Sequence, residues 1–161
     1  MPVSTDIVAT YKGPGRVMRR QLAMGENEGR ALAILMGACT LVFISQLPQL
    51  ARQAHLDEVE LNPLLGAALF SWLFIAPLLL YAVALISHWI AKLFGARGTA
   101  FGARLALFWS FLASAPLLLL NGLVAGFIGP GVEMTIVGVV WWAVWVVFWA
   151  LSLREAEWGK T

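Results

Sequence analysis

The chain has 161 residues, of which 60% are hydrophobic and only 12% are charged. A soluble globular domain is nearer half apolar and a quarter charged, so this composition excludes an ordinary soluble protein. The apolar residues form four long runs, which indicates transmembrane helices. The single cysteine, Cys39, excludes an intrachain disulfide and a zinc site built on cysteine pairs.

The first segment, residues 1–29, is polar and is expected to stay outside the membrane. A short amphipathic helix is predicted at about 16–24, with Arg16, Arg19 and Arg20 on one side and apolar residues on the other. Such a helix suits the surface of an anionic membrane. The alternative is an ordinary segment next to the membrane, whose arginines only set the topology.

The membrane domain is predicted to cover residues 30–153, followed by a tail at 154–161. Polar loops or Gly-Pro turns separate its apolar runs. The fold class is therefore an all-α integral membrane protein: a four-transmembrane-helix bundle preceded by a short N-terminal amphipathic helix. The predicted spans are about 30–50, 64–87, 105–128 and 134–153.

The basic residues predict the topology. Ten of the eleven Lys and Arg residues lie before span one, between spans two and three, or after span four, whereas Arg52 alone lies in the first loop. Basic residues flanking spans concentrate on the cytoplasmic side. We therefore expect both termini in the cytoplasm and a multi-pass protein of the bacterial cytoplasmic (inner) membrane.

Two similar segments, 70–80 and 109–120, each carry a proline in the pattern aromatic-Ser-aromatic-Leu-x-x-Ala-Pro-Leu-Leu-Leu. Pro77 and Pro116 are predicted helix kinks near the bilayer midplane, at similar depth on antiparallel neighbouring spans. The similarity is explained by an inverted repeat, as in transporters, or by chance in Leu-rich sequence. Both explanations stay open.

Each proline leaves one carbonyl of the preceding turn without its usual donor, at Leu73 and at Leu112. In lipid such carbonyls need another partner. Helix kinks, hydroxyls or water can supply one, and the hydroxyls of Ser71, Ser110 and Ser114 are nearby candidates.

Small residues recur along span three at intervals of four, which predicts a close helix-packing face. The partner is either another span of the same chain or another subunit. The predicted packing residues are Gly102, Ala106, Ser110, Ser114, Gly122 and Gly126.

Span four is rich in tryptophan, and Trp142, Trp145 and Trp149 are predicted to share one face that packs or contacts lipid.

Residues that could act in catalysis or bind a cofactor are few. The two histidines, His55 and His88, are predicted on opposite sides of the membrane, so they cannot ligate one haem together. No catalytic, phosphate-binding or metal-binding motif is present. We therefore expect no enzyme activity, no cofactor and no metal.

Four stretches resemble the Yip (Ypt-interacting protein) domain family of polytopic membrane proteins, and the chain is similar to a bacterial member of it. The first, G-P-G-R-V-M-R-R-Q-L, precedes span one, and H-W-I-A-K-L-F-G follows span two. The sequence A-R-G-T-A-F-G-A-R-L then leads into span three, and W-A-V-W-V-V-F-W-A-L-S-L-R-E-A-E closes the last span.

The resemblance implies a membrane protein without catalytic residues. Eukaryotic members bind Rab-type GTPases through N-terminal regions longer than this one, and many have five spans where four are predicted here.

The leading hypothesis is a non-enzymatic protein that binds other membrane proteins or organises the membrane. Its expected partners are the lipid bilayer and a homo-oligomer or larger membrane complex, with no nucleic acid. One alternative is a small transporter or channel subunit with a midplane site at the proline kinks. Another is an accessory subunit of a respiratory or photosynthetic complex.

Overall fold

The computed structural model describes residues 2–159. This part of the chain is helical, without strands. The helices are α1 (Val3–Lys12), α2 (Pro14–Ala23), α3 (Glu28–Leu56), α4 (Leu61–Phe70), α5 (Ala76–Leu93), α6 (Ala100–Phe127) and α7 (Val132–Trp158). A π-helical segment, Ser71–Ile75, joins α4 to α5.

Four helical stretches are long and apolar enough to cross a membrane: α3, the continuous stretch Leu61–Leu93, α6 and α7. The predicted fold class is confirmed. Three stretches extend beyond both ends of their predicted spans, whereas α6 begins earlier but ends one residue short, at Phe127. A helix continues past its apolar part until a cap or breaker ends it. Two of them begin at side-chain caps, since Asn27 accepts from the backbone N–H of Arg30 and Thr99 from that of Gly102.

Helix α6 lies at the centre of the bundle. In the 18-residue apolar stretch of α6, 56% of the residues are buried within the protein, against 11% in the corresponding stretches of Leu61–Leu93 and α7. It packs on α3 and α7 along much of its length and on α5 over a shorter stretch. The other spans therefore lie around α6 and turn their remaining apolar surface outward.

Helices α1 and α2 and the last turns of α7 lie at the same end of this bundle. Arg19 of α2 pairs with Glu155 near the end of α7, and the α5–α6 connection hydrogen-bonds to Glu157. We call this the terminal end, and the other the opposite end. The apolar side of α2 is not left for lipid as its amphipathic pattern suggests, because Val17 and Met18 are buried against the protein.

The two proline segments differ in the structure. Before Pro77 the helix widens, and the backbone N–H of Ala76 donates to the carbonyl of Ser71, five residues earlier. Such π-helical adjustment is one way for a helix in lipid to accommodate proline. Pro116 lies within α6 without a π-helical turn. Pro77 is buried and Pro116 is exposed, so the segments are not structurally equivalent.

The two prolines are predicted to lie at similar depth, and an aromatic contact between α5 and α6 gives their relative depth in the structure. The rings of Tyr81 and Phe108 lie 4.9 Å apart between centroids. Counting four residues along each antiparallel helix puts Pro77 level with Leu112, about one helical turn from Pro116.

Candidate functional site at the terminal end

A buried polar pair joins α5 to α7 at the terminal end. Nδ1 of His88 lies 2.6 Å from Oε1 of Glu157, and the two side chains are 11% and 0% exposed. The other carboxylate oxygen, Oε2, is buried without a hydrogen-bond partner. The backbone N–H groups of Arg97 and Gly98 donate to the Glu157 carbonyl at 2.9 and 3.1 Å.

Gly98 is required by this close approach of the connection to α7. A Cβ at this position would lie 2.3 Å from the carbonyl oxygen of Ala156 and 2.7 Å from Oε2 of Glu157. Sequence reasoning missed the pair, placing His88 at the exit of span two and Glu157 in the tail. The available signal was the topology, which puts both residues on the same side of the membrane.

Ion pairs tie α1, α2 and α3 to this end. Arg19 donates to Glu155 at 2.7 Å. This hydrogen bond, together with the negative charge of Glu155, raises the pKa of the Arg19 guanidinium. Arg20 pairs with Asp6 of α1. Of the three arginines predicted for the membrane surface, two therefore have acidic partners within the protein. Arg16 is exposed and makes no ion pair with the described residues.

A second tie links the start of α3 to α6 and to the end of α2. Arg104 pairs with Glu28, and Arg30 donates to the carbonyls of Gln21 and Gly25, both at 3.0 Å. Both arginines lie at the polar boundary of the bundle. There a long basic side chain can pack its apolar stem on the protein while its charged head meets a partner or water.

Helix α1 is fastened to α6 by two hydrogen bonds. The indole N–H of Trp109, which is 1% exposed, donates to the hydroxyl of Thr10 at 3.0 Å. The hydroxyl of Tyr11 donates to the carbonyl of Ala113 at 2.9 Å, and its ring meets that of Phe148 edge to face. Burial raises the pKa of the Tyr11 phenol. These contacts hold α1 against the membrane-spanning part of the bundle.

The predicted small-residue face of α6 is used inside the chain. A Cβ on Gly122 would lie 1.7 Å from the carbonyl oxygen of Ser45, and one on Gly126 would lie 2.2 Å from the Cβ of Pro48. At the terminal end Gly102 faces α7 at Ala156, where a Cβ would lie 3.4 Å away. The remaining members Ala106, Ser110 and Ser114 are fully buried. The partner that sequence reasoning left undecided is thus α3 or α7 of the same chain for the three glycines.

The serine hydroxyls do not reach the carbonyls that the prolines leave free. Ser71 donates to Ala67, Ser110 to Ala106 and Ser114 to Phe111. A helical serine reaches back three or four residues on its own helix, which fixes these acceptors. Of the alternatives for the carbonyls of Leu73 and Leu112, donation by these three hydroxyls is therefore contradicted.

The tryptophans of α7 form a stack that differs from the predicted set. Trp141 and Trp145 lie 5.6 Å apart and nearly parallel, and Trp145 and Trp149 follow at 5.8 Å. Trp142 points away and is exposed. Residues three or four positions apart both lie on one face of a helix, so Trp141 and Trp142 could each lie beside Trp145. Phe111 of α6 contacts Trp141 and Trp145, and this contact turns Trp141 inward.

Comparison with known protein families identifies the family of this chain. The Yip1 domain matches residues 13–160. The chain belongs to the Yip1 domain family. No curated protein and no solved structure matches it.

The Yip1 domain begins at the Gly13 elbow between α1 and α2, so α1 lies outside the matched residues. The buried pair of His88 and Glu157 and the small-residue face of α6 lie inside them. Within residues 2–159 of this Yip1-domain chain, no group of three His, Cys, Asp or Glu residues is placed to hold a metal ion.

Proposed function

We propose that this Yip1-domain protein is non-enzymatic and binds another membrane protein, or a second copy of itself, inside the bilayer. The observation that carries the proposal is a second small-residue surface on α3, which we call the α3 face. It begins with Gly29 at the polar boundary and continues into the bilayer with Ala33, Gly37 and Thr40, all exposed on the outside of the bundle. A Cβ added to Gly37 meets no atom within 4 Å.

Two physical reasons make the α3 face suited to a partner helix. Lipid tails are as apolar as leucine, so transmembrane helices associate through close packing, and small residues spaced by four allow it. The chain already uses this device internally, where Gly122 and Gly126 of α6 admit the backbone of α3. The α3 face offers the same geometry with no helix against it among the described residues.

We place the protein in the bacterial cytoplasmic membrane with both termini in the cytoplasm. The charge distribution on the folded bundle supports this orientation. Arg52 lies at the opposite end with Asp57, Glu58 and Glu60, whereas the other described basic residues lie at the terminal end. This asymmetry agrees with the positive-inside rule.

The α3 face is tested by crosslinking in native membranes. In a Cys39→Ala background, Ala33→Cys is expected to give a disulfide-linked dimer or a stoichiometric adduct with a partner carrying a cysteine in its facing helix. Adding Gly37→Leu places a bulky side chain on the face and is expected to remove the product.

Gly66→Leu is the matched control, because Gly66 also lies exposed in an apolar helix with open space around it but has no small residue four positions away. The control should leave the crosslink unchanged. A chain that remains monomeric under these conditions, or crosslinks equally with Gly37→Leu, contradicts the proposal.

A further inference from the structure

The elbow between α1 and α2 holds a small basic cavity. Its volume is about 180 Å³, and we call it the elbow site. The chain turns here at Gly13, and Lys12, Arg16 and Arg20 place three cationic side chains around it. The cavity is lined by Ala9, Lys12, Gly13, Arg16, Val17 and Arg20.

The positive charge of the elbow site is only partly neutralised by the protein. Asp6 pairs with Arg20, whereas Lys12 and Arg16 are exposed and make no ion pair with residues 2–159. Glu155 lies close to Gly15 but is paired with Arg19 on the neighbouring side of α2. Two cations therefore remain available to an anion.

The position of the elbow site relative to the membrane indicates the kind of anion. Tyr11 hydrogen-bonds to Ala113, which lies in the membrane-spanning part of α6. On the same short helix Val3 and Val8 are 53% and 60% exposed, which places apolar surface next to the cationic elbow. A charged group joined to hydrocarbon chains satisfies both surfaces, because juxtamembrane cations attract anionic lipids.

We propose that the elbow site binds the phosphate of an anionic phospholipid, whose acyl chains lie along the exposed apolar side of α1. This surface is separate from the α3 face, so the inference does not depend on the proposed partner. It also revises the role of α2. Because its apolar side is buried on the protein, α2 meets the membrane through its cations rather than by inserting into lipid.

The test uses the purified full-length chain in detergent, with lipid binding followed by native mass spectrometry. Phosphatidylglycerol and phosphatidylcholine of identical acyl chains are the probes. Phosphatidylglycerol should bind more tightly, and Lys12→Gln or Arg16→Gln should each weaken it about fivefold, since a juxtamembrane cation contributes about 1 kcal/mol. The double variant should weaken it about 25-fold on the same basis.

Lys92→Gln is the matched control, because Lys92 is an exposed cation that lies outside the elbow site and makes no ion pair with the described residues. It should leave lipid affinity unchanged, and Arg16→Lys, which keeps the charge, should retain binding. Equal weakening by Lys92→Gln would mean diffuse surface charge and overturn the site. Equal binding of both lipids, or binding of inorganic phosphate as tightly as phosphatidylglycerol, would overturn the phospholipid assignment.

Discussion

Nδ1 of His88 lies 2.6 Å from Oε1 of Glu157, and this contact joins α5 to α7 where both are shielded from water. Polar groups in such surroundings are costly unless they are paired, so each side chain depends on the other. The Glu157 carbonyl also holds the α5–α6 connection through Arg97 and Gly98. One residue therefore positions three parts of the terminal end.

Replacing Glu157 should destabilise the bundle. Glu157→Ala leaves His88 without its buried partner, which typically costs about 1–3 kcal/mol. Glu157→Gln keeps a hydrogen-bonding oxygen and should cost less. Thermal unfolding in detergent measures both, with Glu26→Ala as the control because Glu26 is exposed and unpaired among the described residues. Similar unfolding temperatures for Glu157→Ala and Glu26→Ala would show that the pair contributes nothing.

Close contact between α3 and α6 should make Gly122 intolerant of a methyl group. Gly122→Ala puts a Cβ 1.7 Å from the Ser45 carbonyl oxygen, so the helices must separate. The expected loss is about 1–3 kcal/mol, the usual cost of overpacking. Gly66→Ala, in open space, should instead raise stability by up to about 1 kcal/mol through helix propensity. Unfolding temperatures of the two variants that change in the same direction would contradict the observed packing.

The hydroxyl of Tyr11 should hold α1 on the bundle. Tyr11→Phe keeps the ring contact with Phe148 and removes only the hydrogen bond to Ala113, at a cost of about 1 kcal/mol. Hydrogen exchange in α1 should speed up about fivefold, since opening follows the free energy lost. Tyr81→Phe is the control, because its hydroxyl makes no hydrogen bond among the described residues. Unchanged exchange in Tyr11→Phe would show that α1 is held by other contacts.

The proposed orientation predicts which loops face outward. In a Cys39→Ala background, His55→Cys at the opposite end should react with a membrane-impermeant maleimide added to intact cells. Glu26→Cys at the terminal end should react only after the membrane is permeabilised, because the terminal end is proposed to face the cytoplasm. Both residues are exposed on the protein surface, so burial does not prevent labelling. The reverse labelling pattern would invert the topology inferred from the basic residues.

The number of spans and the amphipathic helix near the N-terminus could be predicted from sequence because both depend on local composition. The faces of the helices were harder to predict. Trp142 and Trp141 both lie at helical spacing from Trp145, and only the contact of α6 through Phe111 selects Trp141. Likewise, a basic-apolar pattern does not tell whether the apolar side of α2 meets lipid or protein, and the structure places Met18 in the core.

By itself the sequence determined that this chain forms four apolar helices, and it predicted on which side their connections lie, because each helix length and each flanking charge is a property of a short stretch. Only the tertiary structure decided that α6 is the central helix, that Gly122 admits α3, and that His88 meets Glu157. The last two of these contacts join residues 77 and 69 positions apart, and the periodicity of one helix carries no information about which side of another helix will meet it.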